Sequence, residues 1–128
     1  MKADITIMPG DGVGPEITRE AVKVLQAIGS VFDHDFSLNE VLFGGIAIDA
    51  TGTPYPEKTQ QSCKNSDAVL LGAVGGPKWS DPNMKIRPEK EGLLEMRADL
   101  GIYANIRPIK TYQELIDNSP IKNRYLEN

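Results

Sequence analysis

The chain is poor in soft metal-binding side chains: it holds one cysteine, Cys63, and one histidine, His34. A single thiol excludes an internal disulfide and fits a reducing compartment, the cytoplasm. Two such side chains are too few for a structural zinc site. Positive charge is not in excess. Lys and Arg number 14 and Asp and Glu 18, a net charge of −4, which argues against nucleic acid or an anionic membrane as main partner. No apolar run approaches the roughly 20 residues of a membrane span. The opening MKADITIMPGDG has too short an apolar stretch for a signal peptide. No internal repeat or low-complexity segment occurs. The dinucleotide fingerprint Gly-x-Gly-x-x-Gly is missing too, since Gly10, Gly12 and Gly14 stand at alternate positions.

What is present suits a soluble α/β domain. The chain has 128 residues, 40% apolar and 25% charged. Residues 4–8 alternate apolar and polar, as a strand does. The glycine turn at 10–14 follows, then Pro15 and Glu16, which suit the first turn of a helix. Ile17, Ala21, Val24, Leu25 and Ile28 recur at helical spacing, with Gly29 as a C-cap. This strand, turn and helix read equally as a tight structural connection or as an anion-binding loop. Residues 35–43 read as a second strand and Ile46 to Ala50 as a short helix. Another helix runs from Pro56-Glu57 to about Asn65, placing Thr59 and Cys63 on one face, with Cys63 a buried small apolar residue. Asp67 to Val74 is the most apolar strand, which points to a central place in a parallel sheet.

The stretch from Leu70 to Pro108 organises the rest. Its strand opens into Gly72-Ala73-Val74-Gly75-Gly76, and a ligand is expected beyond the carboxyl end of such a strand. A helix follows over Gly92 to Leu100, capped by Gly101, and then a strand from Tyr103 to Arg107 ended by Pro108. Leu93, Leu94 and Arg97 can share a face. They read either as core leucines beside a solvated arginine, or as an apolar patch beside a guanidinium that matches a carboxylate.

Six segments in order resemble the β-decarboxylating dehydrogenase family, and within it the members that oxidise 3-isopropylmalate. They are GDGVGPEI at 10–17, DATGTP at 49–54, AVLLGAVGGPKW at 68–79, RPE at 87–89, GLLEMR at 92–97 and YANIRP at 103–108. The resemblance runs from Ile5 to about Lys122 and corresponds to the N-terminal portion of those enzymes. It implies a parallel-rich sheet flanked by helices that is not a true Rossmann fold. Residues 1–103 would belong to the first domain and 104–128 would start the second, truncated here.

By the same resemblance the activity is NAD-dependent oxidative decarboxylation of 3-isopropylmalate in leucine biosynthesis, by a cytoplasmic homodimer using Mg2+ or Mn2+. Arg97 and Arg107 would hold the substrate carboxylates, and Leu93 and Leu94 would face the isopropyl group. The nicotinamide would lie beside the loop Gly76, Pro77, Lys78, Trp79, Ser80, Asp81, Pro82, Asn83, Met84, Lys85, Ile86, Arg87, Pro88 and Glu89. Two departures stand out. Lys90-Glu91 separates Glu89 from Gly92 where many members have one residue, so either Glu89 or Glu91 takes the acidic place near the cofactor. Ala98 replaces the usual basic residue after the arginine. The family's catalytic tyrosine and lysine, third arginine and metal-binding aspartates are expected past residue 128, so the chain alone is expected to be inactive. The competing readings are a sister enzyme acting on isocitrate, homoisocitrate or tartrate, and a non-catalytic anion- or nucleotide-binding module.

Overall fold

In the computed structural model of the chain, residues 1–79, 81, 84–108, 112–122 and 125 are described. Three parallel strands form a sheet in the order β2-β1-β3: β1 (Lys2–Gly10), β2 (Asp35–Glu40) and β3 (Ala68–Ala73). Parallel neighbours need long crossovers, and helices supply them. The helix α1 (Gly14–Phe32) links β1 to β2, while α2 (Gly45–Thr51) and α3 (Glu57–Asn65) link β2 to β3. A 3-10 turn at Pro77–Trp79 follows β3. A π-helical stretch, Pro88–Leu94, then runs directly into α4 (Glu95–Asp99), and a last 3-10 turn spans Gln113–Asn118.

The alternation at 4–8 implies an outward-facing Thr6, but Ile5, Thr6, Ile7 and Met8 are all buried. β1 is the middle strand, and a middle parallel strand has no solvent side. Thr6 is accommodated because its hydroxyl pairs with Ser62 Oγ at 2.8 Å. β3, expected at the centre, is an edge: among the described residues it pairs with β1 only. Its residues are half-buried at most, so unbroken apolarity here marks neither a central place nor full burial. The second strand ends at Glu40 rather than residue 43, although Val41 N–H still donates to Ile7 O at 2.9 Å.

In α1 the helical period is right and the phase is wrong. Ile17, Val24 and Ile28 are exposed, whereas Gly14 and Thr18 are buried and Ala21, Val22 and Leu25 half-buried. Close backbone approach sets the rotation. A Cβ at Gly14 would strike Pro9 O, and one at Gly72 would strike both Pro9 O and the Thr18 hydroxyl. Gly29 is not the cap either. The helix continues to Phe32, and Asp33 turns left-handed at φ 52, its N–H donating to Gly29 O. Gly29 is small for another reason: His34 O folds back to within 3.0 Å of where its Cβ would be.

The core gathers Met8, Val41, Phe43, Tyr55, Cys63 and Met96. Phe43 and Tyr55 meet edge to face at 5.7 Å, a favoured aromatic geometry. Thr59 and Cys63 are buried on one face of α3. The expected strand at Tyr103–Arg107 does not form. Residues 102–108 are exposed and, among the described residues, without a ladder partner, which a strand requires.

Candidate functional site

Three segments converge where β1 and β3 end: the turn after β1, the start of α2 and the glycine loop after β3. Asp11 joins them. Its N–H donates to Ala73 O at 2.7 Å. Its carboxylate, 4% exposed, accepts three backbone N–H groups: Gly45 at 2.7 Å and Gly75 at 2.9 Å on Oδ2, and Ile46 at 2.7 Å on Oδ1. The first N–H groups of a helix lack intrahelical partners, and α2 has no capping side chain of its own. Asp11 caps it from 34 residues away. The sequence reading of the Gly10–Gly14 turn weighed only its glycines and missed this carboxylate. A helix opening at Gly44-Gly45 with no local acceptor was the available signal.

The loop after β3 folds onto this junction. Gly75 adopts φ +95, and a Cβ there would collide with the Glu89 carboxylate, so Glu89 lies against the loop. Glu91 turns away. Its Oε2 accepts the Arg87 N–H at 2.6 Å, the main reason its carboxyl sits below the usual range. Trp79 packs its indole on Gly45, where a Cβ would meet the ring. Lys78 lies 5.3 Å from the Trp79 ring centre and pairs with Asp49 Oδ2 at 2.6 Å. Lys85, Ile86 and Arg87 are exposed and Pro88 is buried. Ser80, Pro82 and Asn83 lie outside the described residues.

Leu93 and Arg97 line one cavity of about 410 Å³ with Leu71, Met96, Ile102, Tyr103, Ala104, Asn105 and Ile106. The chain after α4 turns back beside it, Ile102 N–H donating to Arg97 O at 3.0 Å, and forms an exposed rim. A lining that combines an arginine with aliphatic side chains suits an anion that carries a branched apolar group. Leu94 is 55% exposed and outside the lining. Arg107 is exposed, one residue past the last lining position. A larger cavity, about 580 Å³, lies between β2 and α3. Ser62 in its wall is already bonded to Thr6 and Asn39, and no cationic site emerges there beyond the exposed Lys58.

Asp99, at the end of α4, is held on both oxygens. Lys64 Nζ reaches Oδ1 at 2.6 Å and the Tyr55 hydroxyl donates to Oδ2 at 3.2 Å. The Lys64 bond, with help from Tyr55, holds the Asp99 carboxyl below its usual range. Burial pushes the Tyr55 hydroxyl far above the ordinary tyrosine range and raises the Cys63 thiol as well. Met96 in the core and Asp99 on this clamp fix the helix that carries Arg97. No group of three His, Cys, Asp or Glu side chains converges as a metal cage among the described residues. No helix among them is long and apolar enough to cross a membrane.

The isocitrate/isopropylmalate dehydrogenase family model matches residues 4–128. The 3-isopropylmalate dehydrogenase of Priestia megaterium (strain DSM 319 / IMG 1521) is 54% identical over 127 residues, 99% of this chain and 34% of that protein. That of Bacillus subtilis (strain 168) is 48% identical over 128 residues, 100% of this chain and 35% of that protein. The chain thus spans about a third of the length of these curated relatives. Among solved structures, the apo β-decarboxylating dehydrogenase of Thermococcus kodakarensis aligns with a TM-score of 0.63 and 30% identity, over 78% of this chain and 27% of that one. The isocitrate dehydrogenase of Methylococcus capsulatus aligns with a TM-score of 0.51 and 34% identity, over 58% of this chain and 21% of that one. With the glycine loop, Glu89 and the Arg97 cavity in the places described, the chain belongs to the isocitrate/isopropylmalate dehydrogenase family.

Proposed function

We propose that this chain is the N-terminal portion of a 3-isopropylmalate dehydrogenase, which carries out NAD-dependent oxidative decarboxylation of (2R,3S)-3-isopropylmalate in leucine biosynthesis. The carrying observation is the cavity lined by Arg97 together with Leu71 and Leu93. Arg97, joined by Arg107, binds and orients the malate carboxylates and offsets their charge. Leu93, with Leu94, excludes water around the isopropyl group. An isocitrate enzyme would place a small hydroxyl residue here to meet its third carboxylate. Leucine leaves that charge unpaired, which disfavours it.

The segment Gly76–Glu89 faces the nicotinamide. The Glu89 carboxylate at the edge of the glycine loop suits a ligand with amide and hydroxyl donors. NAD, when bound, supplies the hydride acceptor for C2. Glu89 takes the acidic place beside it, since Glu91 is engaged by Arg87 N–H. Glu89 and Arg97 stand eight residues apart on one helical run, roughly 12 Å along its axis, so a single element spaces cofactor from substrate. Mg2+ or Mn2+ belongs to the same reading, but no step is assigned to it, because the described residues offer no cage. The reading includes a homodimer in the cytoplasm and a domain boundary at 103/104. The change from regular elements to exposed extended chain at 102–108 supports that boundary.

The test is a hybrid in which this chain replaces the matching part of the Bacillus subtilis relative. NADH formation should appear with 3-isopropylmalate and be at least tenfold weaker in kcat/KM with isocitrate, about 1.4 kcal/mol of discrimination. A folded hybrid that prefers isocitrate, or uses neither, refutes the reading.

A further inference from the structure

We infer that Asp11 is a positioning residue for the cofactor-facing loop, an assignment that rests on reading Gly76–Glu89 as that loop. The Asp11 carboxylate lies outside the loop yet holds its first corner directly, through Gly75 N–H. It holds the second corner through Gly45. The same residue that donates its N–H to Asp11 Oδ2 offers a bare Cα face to the Trp79 indole. The third corner, Glu89, rests against Gly75. Glu89 and Trp79 thus sit on two glycines tied to one oxygen. Gly44 shows how little room surrounds that oxygen, because a Cβ there would stand 2.6 Å from Oδ2.

The chemistry demands a carboxylate. All three partners are backbone donors, and an ionised aspartate only accepts. Asparagine would keep one acceptor and turn its NH2 against an N–H. Either Ile46, or the half-buried Gly75 and the buried Gly45 together, would then lose an acceptor, which is costliest at Gly45. The first residues of α2 and the glycine loop would separate, carrying Trp79 and Glu89 with them. Gly45→Ala attacks the same brace from the other side. Alanine is the better helix former and Asp11 is untouched, but the new Cβ occupies the place of the Trp79 ring.

Trp79 is the sole tryptophan and reports directly. In the 128-residue chain, Asp11→Asn and Gly45→Ala should each at least double the acrylamide quenching of Trp79 and shift its emission to the red. Far-UV circular dichroism of Gly45→Ala should stay unchanged. In the hybrid with the rest of the Bacillus subtilis relative, both variants should raise KM for NAD roughly tenfold while KM for 3-isopropylmalate moves less than about twofold. If Asp11→Asn does not fold, Gly45→Ala decides alone. Trp79 as protected as in the unaltered chain overturns the brace. Trp79 released with KM for NAD unchanged overturns the positioning role. An unaltered hybrid that turns over without using NAD overturns the cofactor reading, whatever the brace does.

Discussion

Replacing Tyr55 by phenylalanine removes one oxygen from the core and leaves everything else in place. The residue is 1% exposed and its ring stays against Phe43, so no cavity opens. What is lost is a hydrogen bond to a charged carboxylate, typically worth ~1.5–3 kcal/mol. The low end applies, because the bond is long at 3.2 Å and Asp99 keeps Lys64. With a urea slope of about 2 kcal/mol/M, a loss of about 1.5 kcal/mol lowers the unfolding midpoint by about 0.7 M at neutral pH. The pH dependence is the sharper test. Burial first, then the neighbouring Cys63 and Asp99, raise the Tyr55 pKa above its ordinary 10.0. A group whose folded pKa is raised contributes stability that is fully present below its unfolded pKa. That contribution is lost as pH climbs from about 10 toward the folded value, by at most ~1.4 kcal/mol per pH unit. The phenylalanine variant has no such loss. Cys63, also raised from 9.0 by burial, is coupled to the Tyr55 hydroxyl, so the difference between the two proteins reports Tyr55 together with that coupling. Urea unfolding followed by circular dichroism at pH 7 and pH 11 should show the gap between the two proteins closing or reversing. A gap of equal size at both pH values refutes the reasoning.

Asp99→Asn should flatten the acid limb of the stability curve. The Asp99 carboxyl is held below its ordinary 3.8, so its contribution is present above that value and lost as pH falls through the folded one; an unchanged acid limb contradicts this. Thr18 Oγ1 is buried without a partner among the described residues, so Thr18→Val should stabilise by about 1 kcal/mol in urea titrations, and a loss would mean the hydroxyl is satisfied. In the hybrid enzyme, Arg97→Lys keeps the charge but loses the fork and should cut kcat/KM roughly tenfold or more, with the melting temperature moving by less than about 2 °C. Deleting Lys90 in the hybrid should leave KM for NAD within about twofold and convert the π-helical stretch to ordinary helix, visible in amide exchange at 88–94.

The order of elements was legible because each carries a local signature. α3 begins after Pro56 as proline placement suggests, and α2 stops at Gly52, which turns left-handed. Tertiary facts escaped. The face α1 turns inward depends on Gly14 and Gly72 letting two backbones meet, and nothing in the spacing of Ile17, Val24 and Ile28 reveals a contact 58 residues away in sequence. Likewise, the apolar composition of β3 does not reveal which strands flank it, and none of its residues is fully buried. Residues 103–107 alternate as a strand should, yet alternation cannot supply a partner. At the site, Leu93 and Arg97 were found together because helical spacing is local. Asp11 was overlooked because its three donors come from 34, 35 and 64 residues on.

The segment from Glu89 to Arg97 shows how local and tertiary demands are reconciled. Glu89 is held against Gly75, and Gly92 is buried where its missing Cβ leaves room for Pro54 and Phe43. Met96 is fixed in the core. An ordinary helix carrying one more residue would rotate everything beyond it by about 100°, taking Arg97 off the cavity wall or Glu89 off the loop. A π-helical turn closes its hydrogen bonds one residue later than an α turn, so it takes up the added residue without passing the rotation on. The stretch Pro88–Leu94 is π-helical, and the helix becomes regular from Glu95. Arg87 N–H, at the start of that run, is taken by the Glu91 carboxylate. Glu91, inside the π-helical run, thus supplies the carboxylate that secures its first turn. Glu89 and Arg97 keep their separate stations at the two ends.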